Sequence, residues 1–150
     1  MLEPSEIGCA YGLEQLKKLG TFTKRRDEVT QRHLDFFGKF SHFFEVPKMN
    51  KNANSSWFAF PLIVKEKAPF TRTDLQIFLE ERNIQTRVIF TGNIIRQPAF
   101  KGIEKKISKD GYPVADRVMA RGFLLGNHHG LTEEMIEHVH ESVKIFIKKY

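Results

Sequence analysis

The chain has 150 residues, 41% apolar and 28% charged, which suits one folded domain with a modest core and excludes a disordered tail. Lys and Arg number 24 against 18 Asp and Glu, a surplus of 24 − 18 = +6. The positive groups stand beside acids, as Lys24-Arg25-Arg26 beside Asp27-Glu28, which is the pattern of a solvated surface and argues against a nucleic-acid partner.

No apolar run nears the roughly 20 residues that a bilayer crossing needs, and the first residues lack the basic start and apolar stretch of a secretion signal. Cys9 is the only cysteine, so an internal disulfide is excluded and a cytoplasmic location is expected.

In chain order, Pro4 and Ser5 can start a helix. Ile7, Ala10, Leu13, Leu16 and Leu19 cover more than one stripe of it, so it is expected to be buried between neighbours, with Cys9 packed in its apolar face and Gly20 as its stop. A second helix is predicted from Thr21 to Phe44, with five phenylalanines between residues 36 and 44. PKMNKNANSS, 47–56, reads as a loop. WFAFPLIVK, 57–65, reads as a strand buried on both faces, with Pro61 placing it at an edge or a bulge. Thr71 and Asp74 form a capping pair for a helix to about Arg82. TRVIF, 86–90, is a further strand, closed by Thr91-Gly92-Asn93.

Pro98 interrupts residues 94–100, and 101–111 reads as an exposed excursion before a short helix, 113–121. FLLG, 123–126, is a short buried strand and Asn127-His128-His129-Gly130 a turn. Thr132 with Glu133 and Glu134 opens the last helix, whose inner face is Ile136, Val139, Val143, Phe146 and Ile147. This order predicts an α+β fold: a small antiparallel or mixed sheet with helices on one face, preceded by two helices.

Six histidines raise the question of a metal, but no zinc-like spacing exists, and His138 and His140, two apart on a helix, point to different faces. His128 and His129 can supply a polar or acid–base group at the mouth of a site. The densest set of specific polar residues is Thr86-Arg87, Gly92-Asn93 and Arg96-Gln97, at a strand end and the loop beyond it. Two arginines there can clamp phosphate oxygens or make structural ion pairs. No GxGxxG, P-loop or serine–histidine–acid pattern occurs.

SEIGCAYGLEQLKKL, WFAFPLIV, APFTRTDLQIFLEERNIQTRVIFTGNIIRQPAF and ADRVMARGFLLGNHHGLTEEMIEHV resemble, in that order, the DegT/DnrJ/EryC1/StrS family, and within it the sugar-nucleotide 3-dehydrases of lipopolysaccharide O-antigen synthesis and related aminotransferases. The resemblance implies a fold-type-I enzyme using pyridoxal or pyridoxamine phosphate (PLP or PMP), normally a homodimer, with a nucleotide-linked sugar as substrate. It implies that the cofactor, its lysine (a histidine in the dehydrases) and the acid on its ring nitrogen belong to a large N-terminal domain. The asparagine that usually precedes the SEI-like helix has no counterpart near Met1-Leu2. Residues 1–45 then read as connecting helices that pack on that large domain, and 46–150 as the small C-terminal domain. Arg87, Asn93, Arg96, and His128 or His129 are expected to face substrate or the domain boundary, and the chain alone is expected to hold no cofactor. The competing expectations are a basic module for phosphorylated ligands and a truncated reading frame without function.

Overall fold

A computed structural model describes residues 5–53 and 55–150, so the proposed role of Pro4 lies outside the described residues. Helix α1 runs unbroken from Glu6 to Gly38, with the Ser5 hydroxyl accepting from the Gly8 amide at 3.1 Å. The expected stop at Gly20 is thus corrected. A glycine inside a helix costs only about 1 kcal/mol, no proline follows it, and packing of Val29, His33, Phe36 and Phe37 holds the turns beyond. One long helix therefore precedes the sheet instead of two, and it ends at Gly38.

Phe44–Glu45 form a short strand, β1, so the helix expected to reach Phe44 stops short of it. Strand β2 spans Ala59–Val64, α2 Arg72–Glu80, β3 Arg87–Val88, α3 Pro113–Arg121, β4 Gly122–Gly126 and α4 Glu133–Ile147. Two 3₁₀ turns, Ile94–Arg96 and Pro98–Phe100, bracket Gln97 where proline forbids a longer helix. The predicted capping pair is present in full: the Thr71 hydroxyl accepts from the Asp74 amide, and the Asp74 carboxylate accepts from the Thr71 amide at 2.8 Å. Thr132 likewise caps α4 through the Met135 amide.

The sheet order is β1-β2-β4-β3 and every pairing is antiparallel. Burial in β2 alternates, with Phe60, Leu62 and Val64 buried and Ala59, Pro61 and Ile63 partly covered. The expectation of burial on both faces is corrected, since within this chain only Phe60, Leu62 and Val64 are fully buried and the alternate residues keep partial exposure. Pro61 is tolerated because β1 pairs only with Val64 and Ile63, leaving β2 without a neighbour on that side at Pro61. The core joins Phe36 and Phe37 of α1, Phe44, the three buried β2 residues, Leu75 and Leu79 of α2, Phe123 and Leu125 of β4, and Val143 and Phe146 of α4.

The first half of α1 takes no part in it. Ile7 is 84% exposed, Leu13 62% and Leu16 64%, and Cys9 is exposed. Within this chain, then, neither the segment nor the Cys9 thiol is packed, and the helix projects beyond the sheet that anchors its second half.

Candidate functional site

A cavity of about 460 Å³ opens where the end of β4, the lead into β3 and α4 converge, a size in the range of small-ligand sites. Its apolar walls are Phe58, Leu124, Leu131, Met135 and Val139. Asn83, Gln85 and Arg87 line its rim, joined there by His138, whose Nε2 lies 2.9 Å from the Arg82 carbonyl, and His128 lines it from the turn after β4.

Burial alternates along residues 83–87: Ile84 and Thr86 are buried, Asn83, Gln85 and Arg87 are exposed, and Ile84 lines the cavity together with those three. Asn83 sits at φ 61°, a left-handed turn that asparagine tolerates and that redirects the chain out of α2. Thr86 is locked by Glu80, whose carboxylate accepts from the Thr86 amide at 2.6 Å and from its hydroxyl at 2.9 Å. Those two bonds hold the Glu80 carboxyl below its ordinary pKa. The turn after β4 is set by Asn127, which is 1% exposed; its amide donates to the Thr30 hydroxyl and the Trp57 carbonyl, both at 2.7 Å. The turn carrying His128 is thereby tied to α1 and to the lead into β2.

Of the five residues expected to contact substrate, the structure brings Arg87 and His128 to this cavity. Asn93 and Arg96 lie elsewhere, both bound to Asp116 of α3. The Asn93 amide donates to Asp116 Oδ1 at 2.7 Å, and Arg96 makes a two-pronged ion pair through Nε at 3.0 Å and Nη2 at 2.9 Å. Of the two alternatives for Arg96, the structure shows the ion pair, with Asp116 as its acid. These bonds hold the Asp116 carboxyl below the usual carboxylate range, the Arg96 bond being the larger cause. Gly92 (φ 60°) permits the arrangement, because a Cβ there would meet the Met119 Cα at 2.8 Å. His129 stacks on Phe22 of α1, ring centroids 3.7 Å apart.

This geometry assigns Asp116 the central place in its loop. Asp116→Ala frees both Asn93 and Arg96 and is expected to lower the melting temperature by a few degrees, more than Arg96→Ala, which leaves the Asn93 bond intact. Equal melting of the two variants would contradict the shared-acid arrangement. The difference is expected above the ordinary carboxylate pKa and to vanish as acid protonates Asp116, because a depressed folded-state pKa adds stability only where the unfolded carboxyl is also ionised.

Sequence reasoning missed Asn83, Gln85 and His138 at the cavity, and it missed a buried histidine pair beneath it. His33 Nδ1 and His140 Nε2 lie 3.0 Å apart between α1 and α4, one donating to the other. His33 also lines the cavity floor. Among the described residues no group of three or more His, Cys, Asp or Glu side chains is placed to hold a metal ion, and no helix is long and apolar enough to cross a membrane.

Comparison with known proteins extends over nearly the whole chain. The family model described as the DegT/DnrJ/EryC1/StrS aminotransferase family matches residues 4–144. A dTDP-4-dehydro-2,6-dideoxy-D-glucose 3-dehydratase of Saccharopolyspora spinosa is 34% identical over 99% of this chain and 32% of its own length. The lipopolysaccharide biosynthesis protein RfbH of Salmonella typhimurium is 32% identical over 92% of this chain and 31% of its own. In structure, the E. coli GDP-4-keto-6-deoxy-D-mannose-3-dehydratase with bound hydrated PLP superimposes at a TM-score of 0.83 and 29% identity, over 94% of this chain and 36% of that one. The chain therefore spans about a third of the length of the relatives it matches, and it corresponds to their C-terminal portion.

Proposed function

The chain belongs to the DegT/DnrJ/EryC1/StrS aminotransferase family, and from that membership we propose that it forms the substrate-facing C-terminal part of a PLP- or PMP-dependent enzyme. That enzyme acts on nucleotide-linked deoxy keto sugars, by 3-dehydration or by amino transfer, in the synthesis of lipopolysaccharide O-antigen or related sugars. The observation that carries the proposal is the match to sugar-nucleotide 3-dehydratases along 92–99% of this chain, joined to a fold shared with one of them at a TM-score of 0.83.

The cavity itself does not fit pyridoxal phosphate. Its lining offers no lysine for a Schiff base and no carboxylate for the ring nitrogen, so no step through the cofactor is assigned to these residues. They fit the other half of the task, which is holding substrate. Arg87 has five N–H donors and no side-chain hydrogen bond among the described residues, so it is free to take phosphate oxygens. His128, in the same lining, can donate to a sugar or phosphate oxygen. Asn93, Arg96 and His129 then shape the boundary with the cofactor-bearing part, and residues 1–45 make the connection to it. The exposed apolar half of α1 supports that last assignment, since such a surface is seldom left to water. A homodimer is the expected assembly.

Affinity for a GDP- or dTDP-linked 4-keto-6-deoxy sugar tests the reading. Arg87→Ala is expected to weaken binding about tenfold or more, the scale of one charged hydrogen-bonded contact, and Arg87→Lys is expected to recover only part of it because an ammonium lacks the planar fork. Unaltered affinity in both variants, with unaltered melting, would remove Arg87 from the site.

A further inference from the structure

We propose that Asn83 and Gln85 read the nucleobase of the substrate, so that the cavity rim determines which nucleoside diphosphate the protein accepts; this rests on the reading of the cavity as the nucleotide-sugar site. The cavity lining is of two kinds. Leu131, Met135 and Val139 present an apolar surface from the start of α4 and the turn before it, and Phe58, 70% exposed, adds an aromatic face at the entrance. The segment 83–87 adds two exposed carboxamides, Asn83 and Gln85, and one exposed guanidinium, Arg87, to the same lining. A 4-keto-6-deoxy sugar offers that wall little beyond one methyl group. A nucleobase has two apolar faces to cover that wall and Phe58, and an edge of donors and acceptors that carboxamides match in complementary pairs.

The order along the segment is the order of the ligand. Asn83 and Gln85 follow the end of α2 and Arg87 opens β3, so a base held by the amides directs its phosphates along the segment to the guanidinium. Neither Asn83 nor Gln85 has a side-chain hydrogen bond within the described residues, so each retains both donor and acceptor for a ligand. Their exposure argues against a packing role, because the stability of this segment rests on Ile84 and Thr86.

The test uses the 150-residue chain and five probes: the diphosphates of guanosine, thymidine, cytidine and uridine, and inorganic pyrophosphate as the ligand without a base. Binding is followed by titration of amide chemical shifts. One base is expected to bind at least about tenfold more tightly than the others, the scale of one amide–base edge pair. The double variant Asn83→Gly/Gln85→Ala is expected to bring the four within about threefold of one another. Glycine is chosen at 83 because it keeps the left-handed backbone while removing the amide, and each single variant serves where the double one melts early. Equal affinities in the unaltered chain, or a preference that survives the double substitution, overturn base reading. The substrate reading then still stands if pyrophosphate binds and Arg87→Ala abolishes that binding. Failure of every probe, pyrophosphate included, overturns both.

Discussion

Phe37→Ala is expected to destabilise the chain by about 3–5 kcal/mol, lowering its melting temperature by roughly 10 °C, whereas Leu13→Ala, on the same helix, stays within about 0.5 kcal/mol. Phe37 is fully buried and stands at the centre of an aromatic cluster. Its ring centroid is 5.0 Å from Phe36, 5.4 Å from Phe44 and 5.8 Å from Phe60. Truncation removes the apolar area and leaves a void that neighbours from α1, β1 and β2 cannot close together, so transfer and cavity costs add. Leu13 is 62% exposed and projects past the sheet. Chemical denaturation of both variants checks the contrast. A loss at Leu13 comparable to that at Phe37 would show that the first half of α1 is covered in the isolated chain, for instance by self-association.

Acid is expected to destabilise the chain before its carboxylates titrate, with about 3 kcal/mol lost between pH 6.5 and 5. The cause is the His33–His140 pair. Burial pushes the His33 imidazole down to about 4, with Arg32 nearby acting in the same direction. Burial also lowers His140 to about 3, helped by His33, Arg32 and Lys144 and opposed by Glu141. The direction of the effect follows from linkage: both groups are neutral when folded and ordinary imidazoles when unfolded. Their stabilisation is complete above about pH 6.5 and is lost as pH falls from there toward the folded values, because the unfolded chain binds protons that the folded one does not. Each imidazole contributes a slope of at most roughly 1.4 kcal/mol per pH unit, and the pair titrates as a unit. Denaturation as a function of pH reads this directly. His33→Phe/His140→Phe keeps the ring volume, including the face stacked on Phe36 at 4.0 Å, and is expected to flatten the profile between pH 6.5 and 5. A flat profile in the unaltered chain would contradict the buried neutral pair.

Much of the fold was legible in local chemistry. Thr71 with Asp74, and Thr132 with two acids behind it, marked helix starts that carry the expected hydrogen bonds, since capping depends on residues three positions apart. The run of phenylalanines announced the core. The readings that failed were those requiring tertiary information. Gly20 breaks an isolated helix more readily than one whose next turns are packed. The apolar residues 7–19 imply a partner surface, yet sequence alone does not say whether it lies within the chain.

The site was legible in the same uneven way. Arg87 and His128 were visible as polar residues at strand ends and turns. Asn83 and Gln85 were hidden because they lie in the turn and irregular segment between α2 and β3, where no periodicity marks which side chains reach a cavity. Asp116 gave no local signal of binding Asn93 and Arg96, 23 and 20 residues away. His33 and His140 are separated by 107 residues, and only the packing of α1 on α4 brings them together.

The central claim, that this portion serves the nucleotide-sugar side of a family enzyme, is tested most directly by mapping two ligands on one sample of the 15N-labelled chain. A GDP- or dTDP-linked 4-keto-6-deoxy sugar is expected to shift amides at residues 83–87 and 126–131, around the cavity, in a saturable way. Pyridoxal phosphate, added separately, is expected to give no saturable Schiff-base absorption, since the cavity lining lacks an amine. A sugar nucleotide that leaves 83–87 and 126–131 unmoved, or pyridoxal phosphate saturating one defined lysine, would contradict the account.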